Sequence, residues 1–204
     1  MLKRLASAGV AWVLRSRNTG TIVAQACGCM SHAAEPVARW RKTTIGWRVV
    51  DELPYMSRET LTTVADECLG RWAAATGLEF VQGGDDIKIF AEWLPDGMLG
   101  RAGYPPPHGE QWAGMVWLTR AAWLTLDDRE HVGEHRCDLK YLILHELGHA
   151  IGFEHWRDGE SVMAAVNEYP ARRQLSAGDI ARAKSRYSVL YAKQNTNYLP
   201  IVTK

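Results

Sequence analysis

The chain has 204 residues, 47% of them hydrophobic, so it is long enough for one domain with tails and too apolar for a disordered segment. Its formal net charge of +1 gives no reason to expect nucleic acid or an anionic membrane surface as a partner. No stretch approaches the roughly 18 consecutive apolar residues that a membrane-crossing helix needs, so the sequence predicts no membrane span.

The N-terminal segment has the composition of a leader or a pro-region. The first 34 residues contain no Asp or Glu, and two basic residues precede the apolar run Leu5–Leu14. Ala24–Ala26 resembles a cleavage site, but Arg15 and Arg17 oppose a secretory signal because the segment before a cleavage site is rarely charged. Residues 1–38 are therefore interpreted as a signal peptide, a pro-region or a disordered tail. We expect a secreted or extracellular protein, with a cytoplasmic one as the alternative.

Beyond Trp40 the pattern predicts a strand followed by a long amphipathic helix. Thr44–Val50 has the composition of a short β-strand. Ser57 is a suitable N-cap with Thr60 at the third helical position, and the helix ends near Gly77. Apolar residues recur in it at the i, i+3, i+4 spacing of a helix: Leu61, Val64, Ala65, Cys68, Leu69, Trp72 and Ala73.

Three short strands and a loop are predicted next. Leu78–Val81 and Ile87–Ala91 are typical of strands, and Gly83–Asp85 lies between them as a turn. Residues 94–114 are rich in Gly and Pro, which predicts a long loop that carries an extended edge segment. Met115–Leu118 is predicted to be a further strand.

Two capped helices follow. Asp138 is placed to begin a helix whose apolar face includes Leu142 and Leu147. Ser176 begins the last helix, with Asp179 three positions on in a capping-box arrangement, and no periodicity is seen from Gln194 onward. This order of elements predicts an α+β fold, in which a mixed twisted β-sheet packs on two long helices beside a small, mostly helical C-terminal subdomain.

The predicted helix after Asp138 carries the pattern H-E-x-x-H-x-x-G-x-x-H. His145 and His149 lie four positions apart on one helix face, so both can meet one metal ion, with Glu146 near the fourth coordination position. Gly152 can take a positive φ and end the helix, which lets the chain double back and deliver His155 as a third ligand. Three protein nitrogens and one open position are typical of a catalytic zinc site.

This site predicts the hydrolysis of peptide bonds. The expected cofactor is one catalytic Zn²⁺, which activates a water and polarises the substrate carbonyl, while Glu146 acts as the general base and returns the proton to the leaving amine. The expected partner is a peptide or protein substrate, and we expect a monomer. Two alternatives remain: a non-catalytic, zinc-stabilised binding protein, for which Glu146 has no purpose, and a zinc hydrolase of a non-protein amide.

Four stretches outside the zinc motif carry a second set of patterns. Arg39–Val49 resembles W-x-K-x-x-[LI]-x-[YW]-R, Trp72–Phe80 resembles W-x-x-x-T-x-L-x-F, Asp86–Ile89 resembles A-D-I-x-I, and Leu175–Ile180 resembles the start of a C-terminal helix. Together with the zinc motif they make the chain similar to the matrixins, the matrix-metalloproteinase-like catalytic domains of the metzincin clan. The resemblance implies a metzincin-like fold, with a catalytic domain at residues 39–192 and a tail at 193–204.

The resemblance also implies roles for a methionine and for an edge strand. Ser161–Met163 lies where the clan places its Met-turn, so Met163 would form an apolar floor beneath the metal; the alternative is an ordinary core methionine. The peptide substrate would lie extended along one strand and add to it through backbone hydrogen bonds. The residues of this substrate edge are Leu99, Gly100, Arg101 and Ala102.

Several positions depart from the matrixin pattern. Arg101 stands where a histidine ligand of the structural zinc would be, and His108 is expected to be a surface residue. The acidic, glycine-rich calcium loop is not evident, so we predict one zinc only and find no support for Ca²⁺. Ala164-Ala165 replaces the usual Tyr-Pro after the Met-turn, which leaves the side-chain specificity of the pocket open. Trp156 and Ala165 argue against the related astacins.

The four cysteines are too few for a disulfide framework. Cys68 and Cys137 are interpreted either as a bridge or as free thiols. Cys27, followed by Gly28, resembles the Cys-Gly of matrixin zymogens, whose thiolate blocks the open zinc position. Cys29 would serve equally. An unrelated thiol and a segment that is processed away are the alternatives, because the flanking prolines and charged residues of that motif are missing.

Overall fold

The structure, a computed structural model, describes residues 26–27, 38–95, 98–107, 110–121, 123–126, 136–164 and 174–195. The strands are β1 (Ala26–Cys27), β2 (Thr44–Val49), β3 (Glu79–Gln82), β4 (Ile87–Glu92), β5 (Met98–Ala102), β6 (Met115–Thr119), β7 (Trp123–Thr125) and β8 (Arg136–Asp138). The helices are α1 (Arg58–Thr76), α2 (Leu139–Ala150) and α3 (Ala177–Asn195), and Glu110–Trp112 forms a 3-10 turn.

Six of the strands form one mixed sheet in the order β1-β5-β6-β4-β2-β3. Strands β5 and β6 are antiparallel, whereas the other neighbours run parallel. Helices α1 and α2 pack on the sheet, and α1 contacts both α2 and α3. The predicted α+β fold with a mixed sheet is therefore confirmed. None of the helices in the described part of the chain is long and apolar enough to cross a membrane.

Helix α1 begins and ends where its sequence predicts. The Ser57 hydroxyl accepts a hydrogen bond from the Thr60 backbone N–H at 3.3 Å, which satisfies one of the free donors of the first turn. Gly77 adopts a left-handed φ of 73° and donates its N–H to the Ala73 carbonyl. The predicted apolar face is buried up to Trp72, whose indole N–H donates to the Leu144 carbonyl of α2 at 2.9 Å.

The extended edge segment predicted within residues 94–114 is strand β5. Two pairings were not predicted: β1 lies parallel to β5, and β7 pairs with β8 in a separate small sheet. Strands β1, β7 and β8 have two or three residues each, which is too short for an alternating pattern to stand out from the surrounding loop.

The core lies between the inner face of the sheet and the helices. Alternate residues of the sheet point into it, among them Trp47, Ile89 and Leu118, and each such side chain contributes about 1.5–3 kcal/mol when fully buried. Cys68 belongs to this core as a free thiol, so the alternative of a bridge to Cys137 is wrong. Burial raises the pKa of Cys68 to about 12, and its thiol donates to the Lys140 carbonyl.

Two glycines let the β3–β4 turn approach strand β2. A Cβ atom on Gly84 would lie 2.4 Å from the Cα of Gly46, which is far inside van der Waals contact. We expect Gly84→Ala to lower the free energy of unfolding by about 1–3 kcal/mol through this overlap, measured by urea unfolding.

The matched control is Gly70→Ala on the exposed face of α1, where an added Cβ meets no atom within 4 Å. This variant is expected to gain about 0.5–1 kcal/mol, because alanine favours a helix interior over glycine. Equal effects of the two substitutions would contradict the close approach of Gly84 to Gly46.

Candidate metal centre

Helix α2 carries the first two histidines and ends in a turn that redirects the chain. Asp138 caps its N-terminus by accepting the Tyr141 backbone N–H at 2.9 Å. At the other end Gly152 has a φ of 100°, Phe153 donates its N–H to the Gly148 carbonyl, and Gly152 donates to His149. These two bonds define a Schellman motif, which requires a left-handed residue at the position of Gly152.

Aromatic donors satisfy the carbonyls that remain at the end of α2. The Trp40 indole N–H donates to the Ala150 carbonyl at 3.0 Å, and the Tyr187 hydroxyl donates to the Ile151 carbonyl at 2.7 Å. These donors come from the irregular segment before β2 and from α3, so the turn is held from both ends of the domain.

The turn brings His155 to the two helical histidines. The Nε2 atom of His145 lies 3.1 Å from that of His149 and 3.3 Å from that of His155. Tetrahedral zinc at its usual Zn–N distance needs ligand nitrogens about 3.3–3.4 Å apart, so this spacing fits zinc. Within the described residues, these three histidines are the group that could hold a metal ion.

The other ring nitrogens determine which tautomer is present. Nδ1 of His145 lies 2.7 Å from the Val162 carbonyl, and Nδ1 of His149 lies 2.5 Å from the Phe153 carbonyl. A carbonyl only accepts, so each Nδ1 carries the proton and each Nε2 presents its lone pair to the centre of the group. The histidines are therefore arranged as neutral ligands.

Burial favours the same neutral state. It lowers the pKa of His145 to about 3, with the neighbouring His155 as the second cause. Burial also lowers the pKa of His149 well below its ordinary value, and that of His155 in the same direction. Protons therefore compete poorly with a metal ion for these nitrogens at neutral pH.

Glu146 is fully buried on α2, next to the first ligand. Its side chain packs against β5, because a Cβ atom added to Gly100 would lie 2.7 Å from Oε1 of Glu146 and 2.9 Å from its Cδ. The glycine thus leaves the room that the carboxylate occupies. The structure brings the predicted general base and the predicted substrate edge into direct contact.

Met163 is buried in the turn that follows the third histidine. Its sulfur packs on Gly148 of α2, where a Cβ atom would lie only 2.3 Å from Sδ. Because Gly148 immediately precedes His149, this packing places the methionine under the ligand-bearing part of the helix. The role of Met163 as a floor for the metal remains a prediction.

Asp179 supports the metal centre in a way that sequence reasoning missed. The sequence identified it only as a cap of α3, and its carboxylate does accept hydrogen bonds from the Ser176 hydroxyl and backbone N–H, both at 2.9 Å. Its carboxylate, only 1% exposed, also accepts from the Ser161 hydroxyl, the Val162 N–H and the Arg182 guanidinium. Since Val162 in turn accepts from His145, the carboxylate holds the loop that orients a ligand. No local signal marks these bonds, which join residues 17 and 18 positions apart.

Arg101 has a different partner from the one its position in the family suggests. Its guanidinium pairs with Glu92 of β4 at 2.8 Å and lies 4.4 Å from the ring centroid of Trp117 on β6. A cation–π contact thus links β5 to its neighbour β6, and an ion pair links it to β4, the next strand of the sheet.

The remaining predicted residues are placed as follows. Leu99, Gly100, Arg101 and Ala102 all lie in β5, with β6 on one side and β1 on the other. Cys27 lies in β1, and its backbone is opposite Gly100. Tyr104, which the sequence did not single out, lies edge-on to the ring of His149. His108, Cys29 and Ala165 fall outside the described residues.

Comparison with known proteins identifies a matching family and several relatives. A family model described as matrixin matches residues 39–188, the stretch in which the sequence motifs resemble that family. Matrix metalloproteinase-26 of Homo sapiens is 29% identical over 164 residues, which cover 73% of this chain and 59% of the relative. Stromelysin-2 of Rattus norvegicus is also 29% identical, and karilysin of Tannerella forsythia is 25% identical. The alignments cover 73% and 70% of this chain but only 33% and 32% of those two relatives.

Asp179→Asn tests the link between α3 and the metal centre. The amide keeps the size of the side chain but offers one acceptor oxygen instead of two to the buried donors. We expect a loss of about 2–3 kcal/mol in unfolding free energy and a zinc affinity lowered about tenfold, measured by urea unfolding and by competition with a chelating dye. Asp158→Asn, on the exposed side of the same region, is the matched control. Wild-type zinc affinity in Asp179→Asn would contradict the link.

Proposed function

The chain belongs to the matrixin family, and we propose that it is a zinc-dependent endopeptidase. The observation that carries the proposal is the convergence of three neutral histidine nitrogens beside a buried glutamate at a sheet edge. His145, His149 and His155 would hold the ion. Zinc at such a site supplies a Lewis acid and an acidified water.

Glu146 is proposed as the group that moves the proton. Its carboxylate is enclosed between α2 and Gly100, so it is held in one position close to the ligands and to the edge strand. From there it accepts the proton of the attacking water and returns it to the nitrogen of the departing amine. A fixed carboxylate in a water-poor enclosure spends little free energy on reorganisation during this transfer.

Strand β5 is proposed to bind and orient the substrate. An extended peptide paired with the backbone of Met98–Ala102 would pass beside Gly100 and therefore beside Glu146. The pairing of β1 with β5 supports this proposal, because it is an instance of an extended segment seated on the same edge. Backbone hydrogen bonds of this kind fix the register of a peptide with little regard to its side chains.

We propose that residues 1–38 restrain this activity and that Cys27 takes part. Strand β1 lies on the proposed substrate edge, and Cys27 is opposite Gly100, the residue that packs on Glu146. A segment in that place excludes a peptide from β5.

The signal-like order of the N-terminal residues also supports a location outside the cell.

Glu146→Gln tests the catalytic proposal. The amide is nearly isosteric but does not accept a proton from water, so peptide cleavage should fall by about 10²–10⁴-fold while zinc stays bound. Cleavage of a quenched fluorescent casein substrate is measured beside zinc content, and the wild type with a chelator serves as the second inactive state. Retained cleavage by the zinc-loaded variant would contradict the proposed role of Glu146.

The same assay separates the alternative functions. Hydrolysis of cell-wall material but not casein would indicate a zinc hydrolase of a non-protein amide. Zinc binding with no hydrolysis of either material, in protein freed of residues 1–38 by limited proteolysis, would indicate a zinc-stabilised binding protein.

Cys27→Ser in the full chain tests the proposed restraint. We take the thiol to stabilise the closed state by roughly 1.4 kcal/mol, which leaves about a tenth of the molecules open. Removing the thiol should therefore raise peptide cleavage about tenfold. Cys29→Ser is the matched control and is expected to leave cleavage unchanged. A rise with Cys29→Ser alone would transfer the role to Cys29, and no rise with either would refute a cysteine restraint.

A further inference from the structure

A pocket of about 500 Å³ lies beside the third histidine, between α3 and the segment that follows α2. Three arginines contribute to its walls together with two aromatic rings and the imidazole of His155: Arg39, Arg182 and Arg186 with Phe153 and Trp156. The family motifs did not identify this pocket, and the proposed proton transfer does not use it.

The guanidinium groups are held in place by the protein. Arg182 lies 4.2 Å from the ring centroid of Trp156, and Arg186 lies 4.9 Å from that of Phe153. Arg186 also donates to the Ala38 carbonyl at 3.3 Å, and Arg39 donates to the Arg186 carbonyl at 3.0 Å. Stacking and carbonyl contacts restrict these side chains, so a ligand would not have to immobilise all of them.

Positive charge predominates in the pocket. Glu154 is the one carboxylate among the described residues that line it. Arg182 is already paired with Asp179, but Arg39 and Arg186 form no ion pair with a carboxylate within the described ranges. Their hydrogen bonds go to carbonyl oxygens, which leave further guanidinium N–H donors for an anion.

The position of the pocket relates it to the substrate. His155 presents Nε2 to the other two histidines and also forms part of the pocket wall. The pocket and the metal centre therefore share a residue, which places the pocket next to the site at which the peptide is proposed to be cleaved. Guanidinium forks match carboxylates in a bidentate geometry, whereas a lysine or arginine side chain would be repelled.

We propose that this pocket binds an acidic side chain of the substrate, so that the protein selects peptides with a glutamate or aspartate close to the cleaved bond. This inference rests on the proposed endopeptidase function, because it assigns the ligand to the substrate. The half-exposed ring of Trp156, 50% accessible, offers a flat wall against which the carbon chain of such a residue packs.

The experiment measures binding separately from cleavage. Full-length protein with Glu146→Gln and Cys27→Ser is loaded with zinc, so that neither turnover nor the proposed restraint interferes. Two fluorescent peptide pools of matched random composition, one containing Glu wherever the other contains Gln, are titrated by anisotropy. We expect the Glu pool to bind about tenfold more tightly, which is the effect of one charge-assisted hydrogen bond.

Arg39→Gln and Arg186→Gln should each remove most of this preference. Arg41→Gln and Lys184→Gln, at exposed positions outside the pocket, are the matched controls and should retain it. Arg186 packs on Phe153, so circular dichroism checks its fold, and the exposed Arg39 provides the second, milder variant.

Each outcome decides the inference. Equal binding of the two pools overturns it, as does a preference that both pocket variants retain. Competition by inorganic phosphate without any preference between the pools would assign the pocket to a free anion and also overturn it. Failure of the endopeptidase proposal is seen separately, as the absence of casein cleavage by the Cys27→Ser protein, and does not alter the binding result.

Discussion

The centre of this protein depends on three nitrogen lone pairs that point at one another. Two backbone carbonyls, those of Val162 and Phe153, accept hydrogen bonds from the Nδ1–H groups of His145 and His149 and so direct their Nε2 atoms inward. Lone pairs at 3.1–3.3 Å repel unless a cation lies between them. The rest of the fold holds these nitrogens close together in spite of their repulsion, so that the site is ready to bind an ion.

Each carbonyl is supplied by a different part of the chain. The Phe153 carbonyl is positioned by the Schellman turn, which Trp40 and Tyr187 brace from outside the helix. The Val162 carbonyl is positioned by a loop whose N–H and hydroxyl groups are bound to the Asp179 carboxylate. Helix α3 is thus a part of the metal centre, although it supplies no ligand.

The sequence predicted the parts of the site that are local and left out those that are distant. The histidines, Glu146 and Gly152 lie within eleven residues of one another, and helical geometry with one positive φ is enough to bring them together. The caps Ser57 and Asp138 were predicted for the same reason. The bonds from Asp179 to the Ser161–Val162 loop, the contact of Tyr104 and the arginine pocket could not be predicted. They depend on how α3 and the β5–β6 loop pack, and single-sequence periodicity carries no information on such packing. The pairing of β1 with β5 was missed because two residues make no pattern.

The link from Arg101 to Glu92 and Trp117 gives the edge strand a support that contains no metal. The ion pair and the cation–π contact are electrostatic and partly exposed to solvent. This support therefore weakens as the ionic strength rises, and it does not depend on zinc. Where metal is scarce, the histidine group would empty while β5 kept its shape. Under the proposed function, a metal-starved molecule would still pair with an extended peptide along β5 without cutting it, and so would compete with zinc-loaded copies for the same substrate.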